Sequence, residues 1–185
     1  MSSRSKSSRP KQAEPKPQPR LYLVTPQVED TAAFAPLLSD ALAAGDIAAV
    51  LLRFGDVNER TQTTIAKTLG AIAQERGVAL LLDGHDELVG RAGADGAHVA
   101  GLADFTEAIA RLKPERIAGA GGMTSRHDAM TAAELGADYI MFGEPEPSGE
   151  RPAFRPSRNA SRGGPKCSRR PASLMRQVLT RWSRW

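Results

Sequence analysis

Apolar residues fall along this chain in short, nearly continuous runs, separated by longer segments in which they recur every three or four positions. Leu21-Tyr22-Leu23-Val24-Thr25-Pro26, Ala48–Phe54, Val78–Leu82, Gly96–Val99, Arg116–Ala120 and Tyr139–Phe142 are the short runs. Such runs fit strands covered on both faces, as in parallel sheets. Between them the spacing predicts helices over Thr31–Ala44, Asn58–Arg76, His85–Ala92, Asp104–Leu112 and Arg126–Leu135. Thr31 and Asp104 are placed to cap their helices, and Ser125-Arg126-His127-Asp128 resembles a capping box. Proline ends the first run, and Gly45 and Gly77 close the first two helices.

One device occurs twice: Gly93-Ala94-Asp95 runs into Gly96-Ala97-His98-Val99, and Gly136-Ala137-Asp138 runs into Tyr139-Ile140-Met141-Phe142-Gly143. A repeated step from helix through Gly-Ala-Asp to strand builds a parallel sheet or barrel. Six such β/α steps occupy about 120 residues with short connections. Right-handed crossovers then leave two arrangements, a (β/α)8 barrel or an open doubly wound sheet. A dinucleotide fold needs a glycine-rich turn after its first strand, and Thr25-Pro26-Gln27 stands there instead. The fold class expected is α/β, a TIM-barrel-like but incomplete (β/α) barrel.

Charge divides the chain into three. Residues 1–20 carry six Lys/Arg against one Glu, and residues 151–185 carry ten Lys/Arg and no acid. With +4 overall, residues 21–150 are left with about −11. The expected organisation is a disordered basic arm (1–20), a barrel-like domain (21–150) and an Arg/Pro/Ser-rich tail (151–185). Basic charge held outside the folded part is weak support for nucleic-acid binding, which is expected only through the arms. The single cysteine, Cys167, excludes a disulfide framework and a cysteine-based zinc site. No apolar run reaches transmembrane length and residues 1–20 lack a signal-like apolar core, so the expected location is the cytoplasm.

Candidate chemistry sits at strand C-termini. Arg53 can contact a phosphate or pair with a neighbouring carboxylate such as Asp83. Asp83 can serve as a metal or polar ligand or form the turn before Gly84. Gly119-Ala120-Gly121-Gly122 is either a phosphate-approaching loop or a plain one. His85 and Asp86 read as surface residues, His98 as a buried hydrogen-bonded histidine, and His127 as a solvated helix start.

Together, Leu21–Pro26, Val50–Arg53, Leu80–Asp83, Gly93–His98 and Gly136–Gly143 resemble, in order and spacing, the thiamine phosphate synthase and thiazole tautomerase superfamily. The resemblance covers roughly residues 20–145. It implies a (β/α)8 barrel that joins a pyrimidine pyrophosphate to a thiazole phosphate, with Mg2+ holding the diphosphate. Carried over by position, it keeps Arg53 and places Leu51 and Gly55 where the family has Gln and Lys. Asp83 and Asp104 each lie one residue from an expected metal ligand, the expected positions being Gly84 and Ala103. The diphosphate-contacting Ser aligns with Gly122, and the tautomerase His with Thr124. Gly143 opens the last phosphate loop, followed by Glu144 and Glu146. The implied substrate-binding set is Arg53, Asp83, Gly121, Gly122 and Gly143, with Asp83 and Asp104 toward magnesium. The implied partner is a phosphorylated small molecule, and membrane association is not expected.

Two readings compete with a synthase: a non-catalytic phosphate-ligand sensor, and a nucleic-acid binder acting through its tails. After Glu150 the expected strands seven and eight do not appear. A frameshift near codon 150 is the favoured expectation. A genuine basic arm, or a tail that covers the open edge by self-association into a homo-oligomer, are the others.

Overall fold

The computed structural model describes residues 19–123 and 125–142. Six strands alternate with helices: β1 (Leu21–Val28), α1 (Thr31–Ala44), β2 (Ile47–Phe54), α2 (Glu59–Gln74), β3 (Ala79–Asp83), α3 (Val89–Ala92), β4 (Gly96–Ala100), α4 (Leu102–Leu112), β5 (Ile117–Gly121), α5 (Arg126–Leu135) and β6 (Tyr139–Ile140). A 3₁₀ turn, Asp86–Leu88, precedes α3, so the expected helix from His85 is split. All strands are parallel and lie in sequence order. That order, with one helix per step, is the order of a barrel and not of a doubly wound sheet.

Both sheet faces are covered, which explains the unbroken apolar strands. Val50, Leu52, Leu80, Leu82, Ala97, Ala118 and Ala120 pack outward with Leu38, Ile65, Leu69 and Phe105 of the helices. Leu51, Ala79, Leu81 and Ile117 form a smaller inner cluster with Tyr22, Val24, Ala49 and Tyr139. Curvature follows from one contact: the hydroxyls of Tyr22 on β1 and Tyr139 on β6 are 2.7 Å apart. In a flat sheet those edge strands would lie about 24 Å apart, at five strand spacings. The sheet therefore curls until its edges face each other. Among the described residues β1 and β6 do not pair, and the barrel stays open.

Two glycines permit this packing. A Cβ on Gly96 would lie 2.0 Å from the Ile117 carbonyl oxygen, so β4 and β5 approach this closely only with glycine there. A Cβ on Gly119 would lie 2.2 Å from the Tyr139 ring, which occupies that space.

The repeated Gly-Ala-Asp has one job in both places. Gly93 and Gly136 end their helices in left-handed backbone (φ 68° and 105°). The following aspartate then turns back onto the preceding strand. Asp95 Oδ2 accepts from the Leu80 N–H at 2.7 Å and from Gln74 Nε2 at 3.1 Å. Asp138 Oδ2 accepts from the Ala118 N–H at 2.8 Å and pairs with Lys113. Burial pushes the Asp95 carboxyl above its ordinary value, against the opposing pull of those hydrogen bonds and Arg116.

Several local expectations are corrected. Asp30, not Thr31, caps α1, its carboxylate accepting from the Ala32 and Ala33 N–H groups. Gly101 occupies the N-cap of α4, and Asp104 lies in the first turn with no capping bond. Strand β1 passes through Pro26, with a register shift between Val24 and Gln27. An edge strand tolerates proline at such a bulge because no ladder bond is lost. Strand β6 is shorter than expected, although the Met141 N–H still donates to Ala120 O at 2.8 Å. The Ser125–Asp128 capping box forms as the sequence predicts, while Asn58, expected as the first residue of α2, instead caps it, its Oδ1 accepting from the Thr61 N–H.

Candidate functional site at the C-terminal rim

In parallel β/α folds the strand C-termini and their loops form one rim where ligands bind. Arg53 is held there at both ends. Its N–H donates to the buried Thr25 Oγ1 at 3.0 Å, across the bulge of β1. The β2–β3 register sets Leu52 opposite Leu82, which brings Arg53 beside Asp83. Arg53 Nε then lies 3.3 Å from Asp83 Oδ2, with the side chains 15% and 32% exposed. Among the described residues, this half-buried pair is the one grouping of expected site side chains that the fold assembles directly.

Asp83 faces His98 in the β3–β4 register, and the Gly84 N–H donates to His98 O at 2.8 Å. His98 is fully buried, its Nδ1 is 3.0 Å from Tyr139 Oη, and the two rings stack with centroids 5.6 Å apart. The expectation of a buried, hydrogen-bonded histidine is met. A chain of polar groups, His98–Tyr139–Tyr22, thus crosses the curled interior. The sequence reading did not single out Tyr22 or Tyr139. They are the chain's two tyrosines, each within an apolar strand, and that was the signal available.

Gly121 ends β5, and its carbonyl accepts from the Gly101 N–H at 2.9 Å. Gly122 is left-handed (φ 62°), and a Cβ there would come within 3.1 Å of the Gly101 nitrogen. These glycines let the loops after β4 and β5 lie against each other, two and three strands round the rim from Arg53. Asp104 is exposed on the first turn of α4. His85 lies edge-on to Phe54 at 5.3 Å and His127 is exposed at the start of α5, in keeping with surface roles. Gly143, Thr124, the arm up to residue 18 and the tail after 150 lie outside the described residues.

Magnesium requires oxygen ligands from few carboxylates with the substrate supplying others. Among the described residues no three His, Cys, Asp or Glu side chains gather as a metal site. Asp83 is already engaged with Arg53, and Asp104 faces solvent. The described donor set by itself does not fit a magnesium centre.

Fold and rim together define an α/β protein of the TIM-barrel type, with an arginine–aspartate pair at the strand ends. Residues 21–161 match the family model for thiamine monophosphate synthase, and the chain belongs to that family. It is 42% identical over 138 residues to a thiamine-phosphate synthase of Hyphomonas neptunium, covering 71% of this chain and 62% of that one. It is also 42% identical over 134 residues to one of Rhodospirillum centenum, covering 71% and 64%. The chain thus spans under two thirds of the length of these curated relatives. A solved thiamine phosphate pyrophosphorylase from Pyrococcus furiosus shares the fold, with TM-score 0.57 at 18% identity over 88% of this chain and 96% of that one. No helix among the described residues is long and apolar enough to cross a membrane.

Proposed function

We propose that the rim around Arg53 binds the phosphate of a small molecule, and that the chain acts as a transferase in thiamine phosphate formation. The observation that carries this is the half-buried Arg53–Asp83 pair, at strand ends of a chain that belongs to the thiamine monophosphate synthase family. Asp83 lies as an ion-pair partner at the Nε side of the guanidinium. The remaining guanidinium donors are then available to phosphoryl oxygens, whose paired geometry they match. Gly121, Gly122 and Gly143 would let backbone approach the same ligand. Charge builds on a departing diphosphate, and a fixed cation beside it stabilises that change.

A second reading is a non-catalytic phosphate-ligand sensor built on the same scaffold. Leu51 supports it: a fully buried apolar side chain in the inner cluster, where the resemblance expects a polar glutamine. The full chain, given the pyrimidine pyrophosphate, the thiazole phosphate and magnesium, separates the two. Turnover to thiamine phosphate that Arg53→Ala abolishes supports the transferase. Arg53-dependent binding without turnover supports the sensor. Neither binding nor turnover overturns both. Nucleic-acid binding would have to come from the basic ends, and binding that does not weaken steeply with salt contradicts it.

A further inference from the structure

The contacts around the curled interior close into a ring. On one side, the ladder between β1 and β2 breaks at the bulge, where Val24 pairs with Leu51 and Gln27 with Arg53. Thr25, buried at the break, accepts the Arg53 N–H on its hydroxyl at 3.0 Å, so a side chain stands in for a ladder bond. Three residues back along the same strand, Tyr22 Oη lies 2.7 Å from Tyr139 Oη on β6. Tyr139 leans over Gly119 of β5, where no side chain stands, and its hydroxyl meets His98 Nδ1 of β4 at 3.0 Å. The His98 carbonyl accepts from the Gly84 N–H at 2.8 Å, and Gly84 follows Asp83, the partner of Arg53. The path thus leaves Arg53 through β1 and returns to it through Asp83.

One link in this ring differs from the rest. The others join strands that adjoin or stand one apart within the sheet, and the ladders already hold those strands in place. Among the described residues β1 and β6 share no ladder, and the hydroxyl contact crosses that gap. Strand β1 is thus held on one side by an interrupted ladder and on the other by Tyr22. The contact is partly buried, where a hydrogen bond is stronger than in water. Without it β1 can shift at its bulge, the point where the ladder gives least support. Thr25 moves with the strand, and the Arg53 backbone loses the acceptor that fixes it.

We propose that Tyr22 is a positioning residue for the rim: through Tyr139 and His98 it holds β1 where Thr25 and Asp83 fix Arg53 for its phosphate ligand. This rests on the reading of Arg53 as a phosphate anchor, and two measurements on the full chain separate the two claims. The first is backbone amide hydrogen exchange, resolved by residue with NMR, in the wild type, Tyr22→Phe, Tyr139→Phe and Thr25→Val. Tyr22→Phe keeps the ring and removes one hydroxyl. Exchange at the Arg53 amide should quicken about 3- to 10-fold, as for the loss of one hydrogen bond. The Leu80 and Ala118 amides, bonded to aspartates at the far end of the strands, should keep their rates. Tyr139→Phe breaks both hydroxyl links and should give the same pattern, so it serves if Tyr22→Phe does not fold. Thr25→Val removes the acceptor itself and should quicken Arg53 with the tyrosines intact. The second measurement is titration of thiamine phosphate, which Tyr22→Phe should bind more weakly by about the same factor. An unchanged Arg53 amide in the tyrosine variants overturns the proposal. So does equal acceleration at Leu80 and Ala118, which marks a general loss of stability, or equal affinity in wild type and Tyr22→Phe. If the wild type binds no thiamine phosphate, the phosphate reading of Arg53 falls, and the exchange rates alone still decide whether Tyr22 holds Arg53.

Discussion

The two ends of the sheet use the same residue type differently. At the strand N-termini, Asp95 and Asp138 are bonded to main-chain N–H groups of the neighbouring strand and backed by Gln74 or Lys113. At the C-terminal rim, Asp83 is paired with a cation, Arg53, that keeps further donors. Carboxylates turned onto backbone amides fix strand position and have no chemistry left to offer. A carboxylate that orients an arginine leaves the arginine able to take a ligand. The framework end should therefore respond to substitution in stability, and the rim in binding.

The largest effect is expected at Gly96, between Asp95 and the crowded β4–β5 contact. Gly96→Ala drives a methyl into the Ile117 backbone and should destabilise the fold by about 3 kcal/mol or more, read from chemical denaturation. Next, Asp138→Ala and Asp95→Ala each strip a partner from a partly buried N–H and should cost about 1–3 kcal/mol. If both were neutral, the Gly-Ala-Asp repeat would not be the clamp described. At the rim, Arg53→Ala should shift the denaturation midpoint least, since an ion pair that still reaches solvent, with side chains 15% and 32% exposed, contributes about 1 kcal/mol or less.

The smallest effect concerns pH. Asp95 holds its proton more tightly when folded than in the unfolded chain, whose ordinary value is 3.8. Its ionised form is thus disfavoured by folding. Stability from this group should rise as pH falls through the raised folded value toward 3.8, and be lost as pH rises again. Asp95→Asn keeps an acceptor for Leu80 and should flatten that part of the stability–pH curve. An unchanged slope would contradict burial as the dominant influence.

Much of this was legible beforehand because it is local. Continuous runs such as Leu80-Leu81-Leu82 announce strands covered on both faces, and Ser125 caps as its neighbours suggest. Where two capping residues adjoin, as at Asp30 and Thr31, sequence does not say which one turns inward. The stop at Pro26 failed because β1 is an edge, a fact that belongs to the whole sheet. The Gly-Ala-Asp repeat was visible, but what its aspartates bond depends on which strand lies alongside. The Tyr22–Tyr139 contact joins residues 117 positions apart and exists only once the sheet has curled. At the site, Arg53 with Asp83 was anticipated as one of two alternatives, and the pairing is what forms. The rim's glycines were noticed as a cluster, while the reason for them, close approach of the loops at Gly101, needed the fold.

The central claim is that Arg53 at the rim is the anchor of a phosphate ligand in thiamine phosphate formation. Calorimetric titration of thiamine phosphate into the full chain and into Arg53→Ala tests it most directly. Loss of a charged hydrogen-bonding partner should weaken binding by about 10- to 100-fold, with the denaturation midpoint shifted little. Equal affinity in the two proteins, or no binding to either, would contradict it.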